Sequence, residues 1–285
     1  MTNRRIEILR NAVALHTFGG SFTDFLSNLF APTCAFLGGR RIERVESGPD
    51  NTNAVWIKGL QRPLYLPAEF DLQFLHRVLT EETYSWNWHF YQVPQTRVER
   101  GDVVLDCGAA EGVFSLMASE QGAGRVLCIE PHPAYLRALR LTFDHDEAVT
   151  VVDAAIGDEV GEICLSNDGI ASVVTDRRDG TIPVKVETVD HLCARLNIQP
   201  TFIKADIEGY EEKMLVGAAE TIAAYHPKLA LTAYHRASAG RWMEHFLKDI
   251  YPGYNIYCKG LAAQHGATVM LHANPTHLPA KKTDK

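Results

Sequence analysis

The chain has 285 residues, 46% of them hydrophobic and 22% charged, with 28 Lys and Arg against 35 Asp and Glu for a formal net charge of −7. That composition excludes collagen-like, coiled-coil and wholly disordered chains and leaves room for one large α/β domain with an extension. The acidic balance gives no general pull toward DNA or anionic lipid, which draws on clustered Lys and Arg; the one basic knot, Arg40, Arg41 and Arg44, is offset by Glu43 and Glu46.

The Met-Thr-Asn-Arg-Arg start is followed by a stretch carrying His16 and Asp24, with no small-residue cleavage site of the secretory kind. The longest uncharged run there, Phe25 to Gly39, is 15 residues with Pro32 inside it, against the roughly 18–20 apolar residues of a membrane span. Six cysteines are scattered without a C-x-x-C pair. They suit small buried hydrophobes in a reducing cytosol better than a disulfide framework, so a soluble cytoplasmic protein without a membrane span is expected.

Before residue 100 the pattern predicts an amphipathic helix over Ile6–Leu15, extended pieces at Ala54–Ile57 and Pro63–Leu66, and a helix over Phe70–Leu79. In Tyr84–Tyr91, alternation would put Trp86, Trp88 and Phe90 on one face of an extended segment, fit to stack on a sugar or adenine or to pack as a hydrophobic lid. From Gly101 onward short apolar runs alternate with helical-length segments, the mark of βαβ units and a parallel sheet. Strands are expected at Val103–Asp106, Arg125–Glu130, Val149–Ala154, Phe202–Asp206, Leu229–Tyr234, Tyr254–Cys258 and Thr268–His272. Helices are expected at Gly112–Glu120, Pro133–Phe143, Val189–Leu196, Tyr210–Ala224 and Gly240–Ile250, with a hairpin-like insertion from Gly161–Leu165 and Pro183–Glu187. The fold expected is α/β: a doubly wound, mostly parallel sheet over residues 101–273, an N-terminal α+β extension over 1–100, and a disorder-prone tail over 274–285.

The strongest local signal is the run from Val103 to Phe114, in which a buried strand ends in Asp106, turns through Gly108, Ala109, Ala110, Glu111 and Gly112, and enters a helix. Free amides and the helix dipole would face a ligand there. The next strand ends at Glu130, 24 residues after Asp106, placed to accept hydrogen bonds from two ribose hydroxyls. A dinucleotide would ask for G-x-G-x-x-G, yet the corresponding positions read Gly108, Ala110 and Val113. Asp106 and Glu111 would also repel a diphosphate. A cationic ligand without phosphate fits better, and S-adenosylmethionine has both an ammonium and a sulfonium.

These residues resemble the FkbM-type S-adenosylmethionine-dependent methyltransferases. The likeness rests on Asp106-Cys107-Gly108-Ala109-Ala110-Glu111-Gly112, Ile129-Glu130-Pro131, Ala154-Ala155-Ile156-Gly157, Glu187-Thr188-Val189-Asp190, Ile203 through Glu211, and Leu215-Val216-Gly217. The resemblance implies a Rossmann-like class I methyltransferase fold and O-methylation of a hydroxyl on a sugar, polysaccharide or polyketide-type product. It places S-adenosylmethionine against Asp106, Gly108, Ala109, Glu111, Gly112, Glu130 and Pro131, with S-adenosylhomocysteine as product. Family members often carry Asn in the turn where this chain has Ala110-Glu111.

Methyl transfer is an in-line displacement, so orientation of the acceptor oxygen and a base for its proton are the enzyme's tasks. Candidates at the later strand ends are Asp206 as orienting group or base, Glu208, and His235 as base; Lys204 shares a side with Asp206 and Glu208. Asp153, or the backbone of Ala154, would meet the adenine amino group. Twelve histidines form no metal motif, so no metal is expected, although Asp153, Asp206 and His235 were the set that could converge on one. The expected partner is a small-molecule or glycan acceptor, with no nucleic acid and with a homodimer as one assembly. The rivals are an NAD-linked oxidoreductase and a non-catalytic nucleoside-binding protein.

Overall fold

The computed structural model describes residues 2–166, 174–175 and 181–276. The extension begins with three helices, α1 (Thr2–Ala14), α2 (Phe22–Phe30) and α3 (Cys34–Gly39). An antiparallel sheet of β1 (Ile42–Ser47), β2 (Thr52–Ile57) and β3 (Leu64–Pro67) follows, then α4 (Leu72–Thr83). The 2-residue period puts Val55 and Ile57 of β2, and Leu64 and Leu66 of β3, on one buried face against Leu75 and Leu79 of α4. The sequence pattern anticipated α1, β2, β3 and α4 and missed α2, α3 and β1. β1 is exposed along almost its whole length, so it carries no alternation to read.

The main sheet opens with β4 (Val103–Cys107), α5 (Val113–Glu120), β5 (Arg125–Ile129), α6 (Pro133–Phe143) and β6 (Val149–Val152). A smaller sheet of β7 (Ala155–Ile156), β8 (Gly161–Ser166), β9 (Val174–Thr175) and β10 (Thr181–Glu187) then interrupts it, β8 and β10 being the expected hairpin. The chain returns through α7 (Val189–Leu196), β11 (Phe202–Ala205), α8 (Glu211–Val216), α9 (Ala219–Tyr225), β12 (Lys228–Thr232), α10 (Ala239–Ile250), β13 (Tyr254–Lys259) and β14 (Met270–Pro275).

The seven strands lie in the order β13-β14-β12-β11-β4-β5-β6, with β14 antiparallel to both its neighbours and the other pairs parallel. This is the doubly wound, Rossmann-like α/β sheet expected. β11 and β12 are buried at every position and β4 and β5 at four of five, because helices cover both faces. The winding reverses at β4, which has β5 on one side and β11 on the other, so the crevice beyond their carboxyl ends is where a ligand belongs.

One expected helix, Tyr210–Ala224, is two. The backbone at Gly217 passes so close to the Gly157 carbonyl that a Cβ would lie 2.2 Å from its oxygen. Asp190, in the first turn of α7, accepts hydrogen bonds from the amides of Thr221 at 2.7 Å and Glu220 at 3.1 Å, capping α9 from outside. At the other end of the chain, Asn274 and Pro275 pair with Asn255 and Tyr254, so the sheet runs into the expected tail; residues 277–285 lie outside the described residues. No helix among the described residues is long and apolar enough to cross a membrane, and all six cysteines are free.

Candidate active site

β4 runs out at Cys107 and Gly108 adopts φ +74°, where a Cβ would sit 2.1 Å from the Asp206 carbonyl oxygen. Only glycine lets the turn after β4 touch the end of β11 at the switch point. Two residues on, Ala110 is held at φ +45° by donating its amide to Glu130 Oε2 at 2.9 Å, while Oε1 of the same carboxylate accepts from His132 N at 2.8 Å. One buried carboxylate therefore ties the turn after β4 to the turn after β5.

These turns form the floor of a cleft of about 1150 Å³, its open mouth included. Apolar walls come from Tyr135, Ile156, Ile163 and Leu165; charged ones from Glu82, Glu111, Glu130 and Lys204. Of the residues expected to hold a cofactor, Gly108, Ala109, Glu111, Glu130, Pro131 and Ala154 line it. Burial pushes both Glu111 and Glu130 up to about 7. Glu82, on α4, is raised well above the usual carboxylate range, by burial first and then by the neighbouring carboxylates of Glu111, Asp106 and Asp206. Glu82 Oε2 and Glu111 Oε1 have no hydrogen-bond partner among the described residues.

Three expected contacts lie elsewhere. Asp106 is wholly buried beneath the turn, its Oδ1 paired with Lys204 Nζ at 2.9 Å and its Oδ2 accepting from Ser115 Oγ at 2.7 Å, so its charge is already answered inside the protein. Lys204 also donates to the Gly108 carbonyl at 2.6 Å. Burial opposes the Lys204 charge, but Asp106, Asp206 and Glu82 outweigh it and hold the ammonium above its ordinary value. Gly112 starts α5 against Leu139 and Phe143, away from the cleft. Asp153 points outward, 60% exposed and 3.6 Å from Arg140, leaving Ala154 to line the cleft.

Beyond β11 and β12 the acceptor-side candidates converge on Asp206. Its Oδ2 accepts from Tyr91 Oη at 2.7 Å and lies 3.6 Å from His89 Nε2; its Oδ1 lies 3.3 Å from Thr232 Oγ1 and 3.7 Å from His235 Nε2. Burial would raise this carboxyl, yet His235, His89, Lys204 and Tyr91 together hold it far below the usual carboxylate range. Such a group is a firm anion and a poor proton acceptor. His235 faces three carboxylates, Asp206, Glu211 at 3.6 Å and Glu208 at 3.7 Å, which raise its pKa against the effect of burial. It does not line the cleft, where a base was expected, but stands behind Asp206. Glu208, at φ +54°, lines the cleft, its carboxyl raised by burial and by Asp206.

Ligand atoms of Asp206, Glu211 and His235 lie within 4.8 Å of one another. Asp153 is not among them. Glu211 Oε1 accepts from Thr232 Oγ1 and Ile207 N, both at 2.9 Å, and from Gly209 N at 3.4 Å, which spends that oxygen on shaping the Asp206–Gly209 loop.

Three cleft residues escaped the sequence reading: Glu82, His89 and Tyr91. In Tyr84–Tyr91 the expected ring face is reversed, because the segment is irregular rather than extended. Trp88 is buried under the α1–α2 helices with Phe25 and Leu29, and the intervening residues His89 and Tyr91 reach the cleft. The only signal was negative: an isolated His and Tyr flanked by residues that fill a core.

The sheet order, with its antiparallel strand between the last two parallel ones, is the class I methyltransferase arrangement. A model of the methyltransferase FkbM domain matches residues 106–251, just over half of the chain, and the chain belongs to that family. Among solved structures it is similar to methyltransferase FkbM from Methylobacillus flagellatus KT, at 25% identity over 73% of this chain and 56% of that one, with a TM-score of 0.49. It is also similar to Trm5b from Pyrococcus abyssi, at 12% identity over 81% of this chain and 58% of that one, with a TM-score of 0.44. The chain thus spans less than two thirds of either. No curated protein matches it.

Proposed function

We propose that the protein is an S-adenosylmethionine-dependent O-methyltransferase acting on a hydroxyl of a sugar, polysaccharide or polyketide-type acceptor. The observation that carries the donor assignment is the Glu130 clamp at the switch point, where a buried carboxylate presents its remaining lone pairs to the cleft beside the unpartnered oxygens of Glu82 and Glu111. Three buried acids whose ionisation a cation promotes and a pyrophosphate opposes fit an ammonium or sulfonium and the two hydroxyls of a ribose; this disfavours the NAD-linked reading. Glu130, Ala109, Pro131 and Ala154 would hold the nucleoside and Glu82 and Glu111 the amino-acid end. The bound donor supplies a methyl group activated by a positive sulfur.

On the acceptor side His89 is the base, because it lines the cleft, has both ring nitrogens free among the described residues, and lies beside an anion that can steady the imidazolium formed when it takes the hydroxyl proton. Asp206 orients it, with Tyr91 and the braced His235 fixing Asp206.

Calorimetry with S-adenosylhomocysteine tests the donor site. Glu130→Ala is expected to weaken binding about fiftyfold, since two charge-assisted hydrogen bonds and the Ala110 tether are lost; unchanged affinity removes the assignment, and tight NADH binding instead favours the oxidoreductase. Binding should also strengthen as pH rises. Below about 7 Glu111 and Glu130 carry protons in the free protein that must leave before either can face a cation or accept from ribose. Each proton costs roughly tenfold in affinity between pH 8 and pH 6, so the two together should lower it by about a hundredfold, and a flat profile would contradict this pairing. Asp206→Asn should leave that affinity intact and slow turnover by about tenfold, the loss of an orienting charge. Full activity in that variant would remove Asp206 from the reaction.

A further inference from the structure

We infer that the outward face of the α1–α2 hairpin docks on an anionic lipid surface, holding the protein against a bilayer it does not cross. α1 turns Ile8 and Ala12 inward, and α2 turns Phe25 and Leu29 inward, onto Trp88 and Leu261. Their other sides are apolar too. On α1, Ile6, Leu9 and Val13 recur at i, i+3 and i+7 with exposures of 47%, 43% and 72%; on α2, Phe22, Leu26 and Phe30 recur at i, i+4 and i+8 with 53%, 37% and 69%. Arg5 Nη2 donates to the Ala31 carbonyl at 2.9 Å, so the start of α1 lies by the end of α2 and the two rows run antiparallel. Single exposed apolar residues need no explanation, whereas two neighbouring rows of them make a patch of the kind that meets a partner.

Charge decides which partner. Arg4, Arg5 and Arg10 stand exposed on the same hairpin of a chain whose net charge is −7. Its two acids are both half-buried and engaged, Glu7 with Arg10 at 3.2 Å and Asp24 with Lys259 at 3.9 Å. An apolar row edged by arginines is the pattern of a helix lying in the headgroup region of a membrane. A second copy of the chain would bring the same arginines into the interface twice and add only acids that are already engaged. Phosphate headgroups neutralise them. At 13 and 9 residues the helices are about 20 and 14 Å long, short of the roughly 30 Å hydrocarbon core, so they lie in the plane. The whole-chain charge, which argued against anionic lipid, averages this face away. Asn28 of α2 donates to the Trp86 carbonyl at 2.7 Å and accepts from Trp88 N at 3.3 Å, and the next residue, His89, reaches Asp206. Docking there would keep the acceptor side of the cleft close to the lipid.

Co-sedimentation of the full chain with phosphatidylcholine vesicles, with and without about 30% phosphatidylglycerol, tests this. Partition onto the anionic vesicles should exceed that onto the neutral ones roughly tenfold and fall several-fold in about 0.5 M salt. Leu26→Ser/Phe30→Ser, on the exposed row, should lose roughly tenfold on both vesicles with an unchanged melting temperature. Arg4→Glu/Arg10→Glu should lose only the preference for phosphatidylglycerol. Protein that stays in the supernatant with both vesicles overturns the inference. So does a concentration-dependent dimer in velocity sedimentation that Leu26→Ser/Phe30→Ser dissolves, which would make the face a subunit interface.

Discussion

His89→Gln should lower kcat by roughly 10²- to 10³-fold, the share a positioned base contributes, and leave the affinity for S-adenosylhomocysteine within about twofold of the parent. The imidazole stands on the cleft wall between the rings of Tyr91 and Tyr234, 5.3 and 5.5 Å away, with its Nε2 turned toward Asp206. Glutamine keeps a hydrogen-bonding group near Asp206 and loses only the imidazole nitrogen that takes the proton. Among the neighbours, none is as well suited. Asp206 is too firmly ionised to accept a proton, and burial and Asp206 together lift the Tyr91 hydroxyl out of reach of ionisation. His235→Gln should be milder, because His235 acts through Asp206 from behind. If single-turnover rates of His89→Gln match the parent, while His235→Gln is the variant that stalls, the two imidazoles exchange roles and His89 becomes a wall residue.

How far the sequence discloses this site depends on which half of the chain supplies each group. From β4 to β12 the spacing of apolar runs located every strand of the main sheet within a residue or two, because a strand covered by helices on both faces reads as an unbroken hydrophobic stretch, while the two-residue strands β7 and β9 of the smaller sheet were missed. The strand-end rule then delivered Glu130, Asp206 and Glu208. It misled at Asp106 for a physical reason: a carboxylate at a strand end can face the cleft or the protein beneath, and what decides is a partner on the neighbouring strand of the sheet but 98 residues away in sequence, Lys204. Asp153 and Asp206 look alike as strand-end acids, yet one meets Arg140 in solvent and the other two imidazoles in a cleft. His89, Tyr91 and Glu82 come from the extension, where neither a strand pattern nor a motif marks position; only the packing of α4 and of the irregular 84–95 stretch against the sheet brings them in. The donor side was therefore more legible than the acceptor side.

Lys204→Met is expected to cost about 3–5 kcal/mol, the range for breaking a buried ion pair from one end, which is a large part of the 5–15 kcal/mol that holds a typical domain together. Lys204 is 3% exposed and Asp106 fully buried, so water is a poor substitute for the ammonium. Methionine fills much of the same volume but leaves Asp106 with only the Ser115 hydroxyl, and strips the Gly108 carbonyl of its donor at the point where the glycine turn meets β11. The loss should appear in chemical denaturation as a lower midpoint with an unchanged m-value, since the surface exposed on unfolding stays the same. Asp106→Asn combined with Lys204→Met removes both charges and should recover at least half of the deficit, because the penalty lies in the charge left alone rather than in the missing bond. The two-charge design also explains why the cleft can be so acidic: Lys204 is set under Glu82, Asp106 and Asp206 at once. Should Lys204→Met unfold within about 1 kcal/mol of the parent, the pair beneath the turn is not what holds it, and the tether from Glu130 to Ala110 must carry that load by itself.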